Sequence, residues 1–252
     1  MQSAYSSESA RRYLVTGAGS GIGRAIAAGL AESGATVIAV GRRRAPLADL
    51  AAQHPTVVPM PADVTDPATP SRLAAAVRSD PGRLDGLVNC AGLARFAALP
   101  DAGLDQLDAM YAVNLRAPVA LTQALLTPLR RATGCVLNVS SIGGVLAMPG
   151  RALYGATKAA LNSLTRSLAH ELAPQIRVNA LVPGAVDTPM YDDLGLDDPQ
   201  TEELRAGLLS STPMGRFGTP EEVARWADLI LDPDRSGWMT GALLTVDGGR
   251  SS

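Results

Sequence analysis

The chain has little sulfur, little aromatic area and almost no histidine. Two cysteines, Cys90 and Cys135, both inside apolar runs, are too few for a disulfide framework and read as small apolar fillers of a reducing compartment. The two histidines, His54 and His170, are far apart in sequence, which argues against a Ser–His hydrolase and against a His-based metal site. The acids Asp192, Asp193, Asp197, Asp198, Glu202 and Glu203 read as a wet face, so no metal is expected. Net charge is −2, which leaves no electrostatic footprint for nucleic acid or an anionic membrane. No apolar run approaches the roughly 18 residues of a membrane helix. The polar stretch from Met1 to Ala10 lacks the apolar segment of a signal peptide. The expectation is a soluble, cytoplasmic protein. With no repeat, low-complexity tract or linker, it should form one domain over residues 12–252 behind a flexible arm, 1–11.

What is present is alternation. Short apolar, β-branched runs begin near Tyr13, Thr36, Val57, Gly86, Cys135, Ile176 and Leu243. Helical patterns lie between them near 22–33, 45–53, 68–79, 104–130, 153–172 and 220–231. Strands that are apolar throughout are covered on both faces. The order implies an α/β fold, a Rossmann-type doubly wound parallel sheet of seven strands with helices on both faces. The irregular stretch 187–219, rich in Asp, Gly and Pro, follows the sixth strand. At the carboxyl edge of an open parallel sheet it is a candidate substrate lid.

The first strand runs directly into Thr16-Gly-Ala-Gly-Ser-Gly-Ile-Gly23. Gly17, Gly19, Gly21 and Gly23, with Ser20 and Ile22, open a helix whose N–H groups and positive dipole suit a pyrophosphate. At the end of the second strand, where an NAD site usually carries Asp or Glu, stand Gly41, Arg42 and Arg43. Guanidinium groups there suit a 2′-phosphate, so NADP(H) is the expected cofactor; for Arg43 the alternative is a solvated turn. Asp63, followed by Val64, is placed to accept from an adenine amine or to cap the following turn. Tyr154 and Lys158 lie four residues apart on one expected helix face. An ammonium beside a phenol favours the phenolate and brings proton exchange into a usable range. Together with Ser141 and Asn114, the pattern indicates hydride transfer on a dinucleotide with Tyr154 as proton donor.

These residues resemble the short-chain dehydrogenase/reductase family, from Tyr13 to Gly249. The resemblance rests on Thr-Gly-x-x-x-Gly-x-Gly, Asn89-Cys-Ala-Gly92, Asn114, Ser141, Tyr-x-x-x-Lys, Pro183-Gly184 and Val-Asp247-Gly-Gly249. Cys90 departs from the usual Asn-Asn-Ala-Gly. The resemblance implies that Ser141 binds the substrate carbonyl, Tyr154 exchanges the proton, and Lys158 lowers the phenol pKa and binds the nicotinamide ribose. Asn114 would hold a water linking Lys158 to solvent, its alternative being a residue that merely kinks the 104–130 helix. Asn89, Ala91 and Gly92 would form the cofactor loop. Pro183, Gly184, Val186 and Thr188 would fix the nicotinamide. A homotetramer through the helices at 104–130 and 153–172 is also implied. Dicarbonyl/L-xylulose reductases and 3-ketoacyl reductases are the most similar branches. Arg95 is similar to a residue of dihydrodihydroxybenzoate dehydrogenases, whose substrate carries a carboxylate, with a solvated loop charge as its alternative. Leu93, Arg95, Phe96, Met148 and Met190 are the expected substrate pocket. Apart from Arg95 and Arg151 its border is apolar, which suggests a small or medium-sized ketone with few charges to pair. An NAD-linked dehydrogenase of a cyclic dihydrodiol or hydroxy acid, a non-redox enzyme and a silent dinucleotide binder stay open as alternatives.

Overall fold

In the computed structural model, which describes residues 10–79 and 82–252, apolar residues alternate along the central strands between two separate cores. Tyr13 and Val15 of the first strand point to one side, and Leu14 to the other. The second strand repeats the pattern, with Val37 and Ala39 on the first side and Ile38 and Val40 on the other. This is how a strand with no polar face satisfies both of its sides.

The strands are β1 (Arg12–Thr16), β2 (Thr36–Gly41), β3 (Val57–Pro61), β4 (Gly86–Asn89), β5 (Cys135–Val139), β6 (Arg177–Pro183) and β7 (Leu243–Val246). They form one parallel sheet in the order β3-β2-β1-β4-β5-β6-β7. Helices α1 (Gly21–Glu32), α2 (Arg44–Gln53) and, late in the chain, a helix at Pro220–Leu231 cover one face. Helix α3 (Thr69–Ser79) and the helices near 117–132 and 152–172 cover the other. The strand order reverses between β1 and β4, so the crevice at their carboxyl ends is the natural ligand site.

Two stretches depart from the sequence reading. The helix expected over 104–130 is interrupted. Helix α4 (Leu104–Tyr111) passes through a π turn at Ala112–Arg116 into α5 (Ala117–Ala132). Helix α6 (Ala152–Leu172) follows as expected. The stretch 187–219 is only partly irregular. It holds a 3₁₀ turn at Pro189–Asp193 and a regular helix, α7 (Asp198–Ser210), before α8 (Pro220–Leu231). Asp197 and Gln200 cap α7 reciprocally, a signature present in the sequence but masked by the surrounding Asp, Gly and Pro.

Of the expected N-terminal arm, residues 1–9 lie outside the described residues. Arg11, at its end, pairs with Asp232 at 2.9 Å and Asp234 at 2.8 Å. No helix among the described residues is long and apolar enough to cross a membrane.

Candidate active site

The loop after β1 is shaped by what a side chain would strike. Gly17 has φ +70°, and a Cβ there would lie 2.9 Å from the Ala91 amide nitrogen. Gly21 has φ +50° and faces Thr188, whose Cγ2 is 3.0 Å from the position of a Cβ. The glycine loop, the Asn-Cys-Ala-Gly loop after β4 and the segment after β6 therefore meet at one place. Thr16 ties the first two together, its Oγ1 accepting from the amides of Cys90 at 3.0 Å and Ala91 at 3.1 Å. Gly184 donates to Val246 at 3.0 Å, which seats the segment after β6 against β7. Val186 bridges to Gly218.

These residues fit a dinucleotide. Ser20 is the N-cap of α1, yet its side chain caps nothing, so the first-turn amides of α1 have no side-chain acceptor. Gly19 and Gly23 complete the turn, and Ile22 packs its side chain into the core beneath it. Arg42 and Arg43 are exposed at the end of β2. Asp63 caps its turn through one oxygen, which accepts from the Thr65 amide at 2.8 Å and hydroxyl at 2.7 Å. Those bonds and the nearby Arg42 hold its carboxyl below the ordinary range. Val64 is buried and helps to line the core. Asn89 donates to Asn138 at 2.9 Å, while its own Oδ1 is buried with no partner.

The candidate catalytic side chains converge at the ends of β4 and β5. Ser141 caps a short 3₁₀ turn at Ile142–Gly144, its Oγ accepting from the Gly143 amide at 3.0 Å. A Cβ on Gly143 would lie 3.2 Å from the Tyr154 ring and 3.4 Å from Ser141 Oγ, so a side chain there would press the ring by a few tenths of an ångström. Lys158 Nζ lies 5.9 Å from the Tyr154 ring centroid and donates to the Val139 carbonyl at 2.9 Å. Ser140, by contrast, turns inward and donates to the Lys158 carbonyl at 3.3 Å.

Burial dominates the electrostatics of this pair. Burial pushes the Tyr154 phenol above its ordinary value, and only a hydrogen bond with Ser141 draws it back. Burial also pushes the Lys158 ammonium down, to about 8. In this geometry the ammonium lies beside the ring and bonds the Val139 carbonyl. Lys158 is also the only lysine of the chain, every other cation being arginine. That signal was available to sequence reading and went unused.

Asn114 sits in the π turn and is buried. Both of its amide hydrogens and one lone pair of its oxygen are committed. It accepts from the Leu93 amide at 2.9 Å and donates to the Leu93 carbonyl at 2.8 Å and to Thr157 at 3.0 Å. It thus ties the loop after β4 to α6. A Cβ on Gly92 would lie 3.7 Å from Asn114 Oδ1 and 3.8 Å from Lys158 Nζ.

A third apolar cluster covers the phenol. Ala94, Met110, Tyr154 and Leu194 are buried together, with Leu93, Phe96 and Tyr191 packed against them. Phe96 meets Tyr154 edge to face at 5.6 Å. Met190 reaches back to Gly92, and Met148 is half-buried beyond the Ser141 turn. Arg95 is tethered: it pairs with Asp193 at 2.8 Å and donates to the carbonyls of Ala94 and Asp193. Its charge is engaged by the 187–219 segment. Tyr191, Leu194, Leu196 and Leu204, all from that segment, were missed in the sequence because their burial depends on how α7 folds back.

Comparison with known proteins agrees with this arrangement. The family profile described as Enoyl-(Acyl carrier protein) reductase matches residues 17–251. The chain is 38% identical over 242 residues to 3-oxoacyl-(acyl-carrier-protein) reductase FabG of Thermotoga maritima, covering 94% of this chain and 96% of that protein. It is 39% identical over 243 residues to L-xylulose reductase of Mus musculus, covering 95% and 96%. A crystal structure of 3-ketoacyl-(acyl-carrier-protein) reductase from Brucella melitensis complexed with NADH superposes with a TM-score of 0.87 at 32% identity, covering 96% of this chain and 98% of that one. The chain belongs to the short-chain dehydrogenase/reductase family of oxidoreductases.

Proposed function

We propose that this protein is an NADP(H)-dependent oxidoreductase that interconverts a ketone and a secondary alcohol. The convergence of Ser141, Tyr154 and Lys158 beside the glycine loop carries the reading. A bound nicotinamide dinucleotide supplies or accepts the hydride. Gly17, Gly19, Ser20, Gly21, Ile22 and Gly23 bind its pyrophosphate through backbone amides. Gly92, Pro183, Gly184, Val186 and Thr188 border the nicotinamide end. Arg42 holds a 2′-phosphate, with Arg43 beside it.

The side chains of this chain then do the acid–base work. Ser141 donates its hydroxyl proton to the substrate oxygen, since the Gly143 amide already occupies one of its lone pairs. A phenol raised by burial is protonated at neutral pH, so Tyr154 starts a reduction holding the proton it must give. Lys158, with a pKa near 8, is placed to recharge it through solvent. Since the Asn114 side chain is committed, a linking water belongs on a main-chain carbonyl of the π turn, where the extra residue disrupts the usual i+4 pairing.

The segment 187–219 acts as the lid, and a homotetramer through α4, α5 and α6 would cover the outward Ala156 and Ala159 of α6. Light scattering checks the assembly. The function is tested by NADPH consumption over a panel of dicarbonyls, ketoses and cyclic β-keto acids, with Tyr154→Phe alongside. Turnover should fall by about 10²–10⁴ in the variant while NADPH affinity survives. Near-normal turnover in that variant would overturn the assignment.

A further inference from the structure

Two arginines stand apart from the others, the first of them near the covered phenol. Arg151 lies immediately before α6, one helical turn ahead of Tyr154. Its guanidinium is over the Phe96 ring at 5.7 Å, and Phe96 in turn packs edge-on against Tyr154 at 5.6 Å. The cation is thus within two ring spacings of the proton donor, on the substrate side. It is half-buried, yet among the described residues its side chain has no ion pair and no hydrogen bond. Arg95 and Arg205, the other arginines of this region, are each paired, with Asp193 and Asp187.

The second is Arg250, from the turn after β7. It reaches α7 by donating to the Leu208 carbonyl at 3.2 Å and to the Ser211 hydroxyl, and its Nε is buried without a partner. It has no ion pair among the described residues. Besides burial, the titratable groups acting on Arg151 are this like-charged Arg250 and the Tyr191 phenol, with no carboxylate among them. A partly buried cation normally finds an acid, and one held without any, with a like charge acting on it, sits at a cost that an incoming anion reduces.

We infer that Arg151, assisted by Arg250, is a specificity site for an anionic group, a carboxylate or phosphate, carried by the ketone or alcohol substrate several bonds from the reacting carbon. This rests on the reductase reading above and deepens it. It also reassigns the anion contact from Arg95, whose donors the lid already uses. Arg151 brings several N–H donors in a planar fork, which suits an oxyanion better than a point charge does.

The test uses NADPH-loaded enzyme and three probes sharing one ketone: an oxo-carboxylic acid, its methyl ester and a phosphate monoester analogue. The kcat/KM ratio of acid to ester should be about 10- to 150-fold in the parent, the range of one charge-assisted contact. Arg151→Gln should bring that ratio to near unity, and Arg151→Lys should retain part of it. Comparing acid with phosphate ester identifies the anion. Calorimetric binding of the acid and ester is measured in parallel, and unchanged thermal midpoints control for folding. Equal use and equal binding of acid and ester by the parent, or a ratio unmoved by Arg151→Gln, overturns the inference. Acid-selective binding that Arg151→Gln abolishes, with no probe reduced, upholds the anion site and sinks the reductase reading instead.

Discussion

Gly144→Ala is the sharpest test of how the site is built. A Cβ at Gly144 would lie 2.6 Å from the Lys158 carbonyl carbon and 2.8 Å from the Ala159 amide nitrogen. Both are backbone atoms inside α6, which cannot swing aside as a side chain end would. Ordinary contact begins near 3.4 Å, so the turn carrying Ser141 must back away from α6 by about 1 Å. That moves Ser141 relative to Tyr154, and a displacement of this size costs roughly 10² in turnover. Overpacking costs about 1–3 kcal/mol, which in a chain of this length lowers the melting midpoint by roughly 2–12 °C. NADPH affinity should change little, because the phosphate loop lies on other elements. The assay is kcat with a reducible ketone, fluorescence titration of NADPH, and a thermal melt on the same preparation. Parental turnover in a folded Gly144→Ala variant would refute the proposal that the 3₁₀ turn positions Ser141 by direct contact with α6.

Gly29→Ala provides the contrasting case: a Cβ there meets nothing within 4 Å, so this helix-interior change should stabilise by about 0.5–1 kcal/mol in a chemical melt. Lys158→Met should abolish activity. Because burial pulls Lys158 from 10.5 to about 8, its charged form weakens the cofactor-free fold by on the order of 3 kcal/mol at neutral pH. The unfolded chain holds this proton between pH 8 and 10.5 while the folded chain does not, so parental stability should rise with pH across that window. The Lys158→Met variant should lack that rise, and parallel denaturation curves for the two would contradict the buried charge. As the only lysine, Lys158 gives one side-chain resonance after reductive methylation, which reads its titration directly. Arg42→Ala should weaken NADPH about 10- to 150-fold and leave NADH unchanged, as checked by titration with each.

Much of this protein is decided by pattern alone. Runs such as Tyr13–Thr16 and Cys135–Val139 are mostly apolar without a polar alternation, and only a sheet covered on both faces can bury them. The glycine loop follows β1 directly, and the four-residue spacing of Tyr154 and Lys158 puts both on one helix face, so the site's cast was legible from local sequence. What local sequence could not decide depends on distances between segments remote in the chain. The break in the 104–130 helix falls where Asn114 reaches both Leu93 and Thr157; a kink at Asn114 is one reading of the sequence, but the π turn depends on those two remote partners. The engagement of Arg95 by Asp193 depends on α7 folding back over the crevice. The rise of the Tyr154 phenol comes from burial under that same cover, whereas spacing alone suggested a fall. Spacing fixes which side chains share a face; the dielectric and the partners they meet are set only when the other elements close around them.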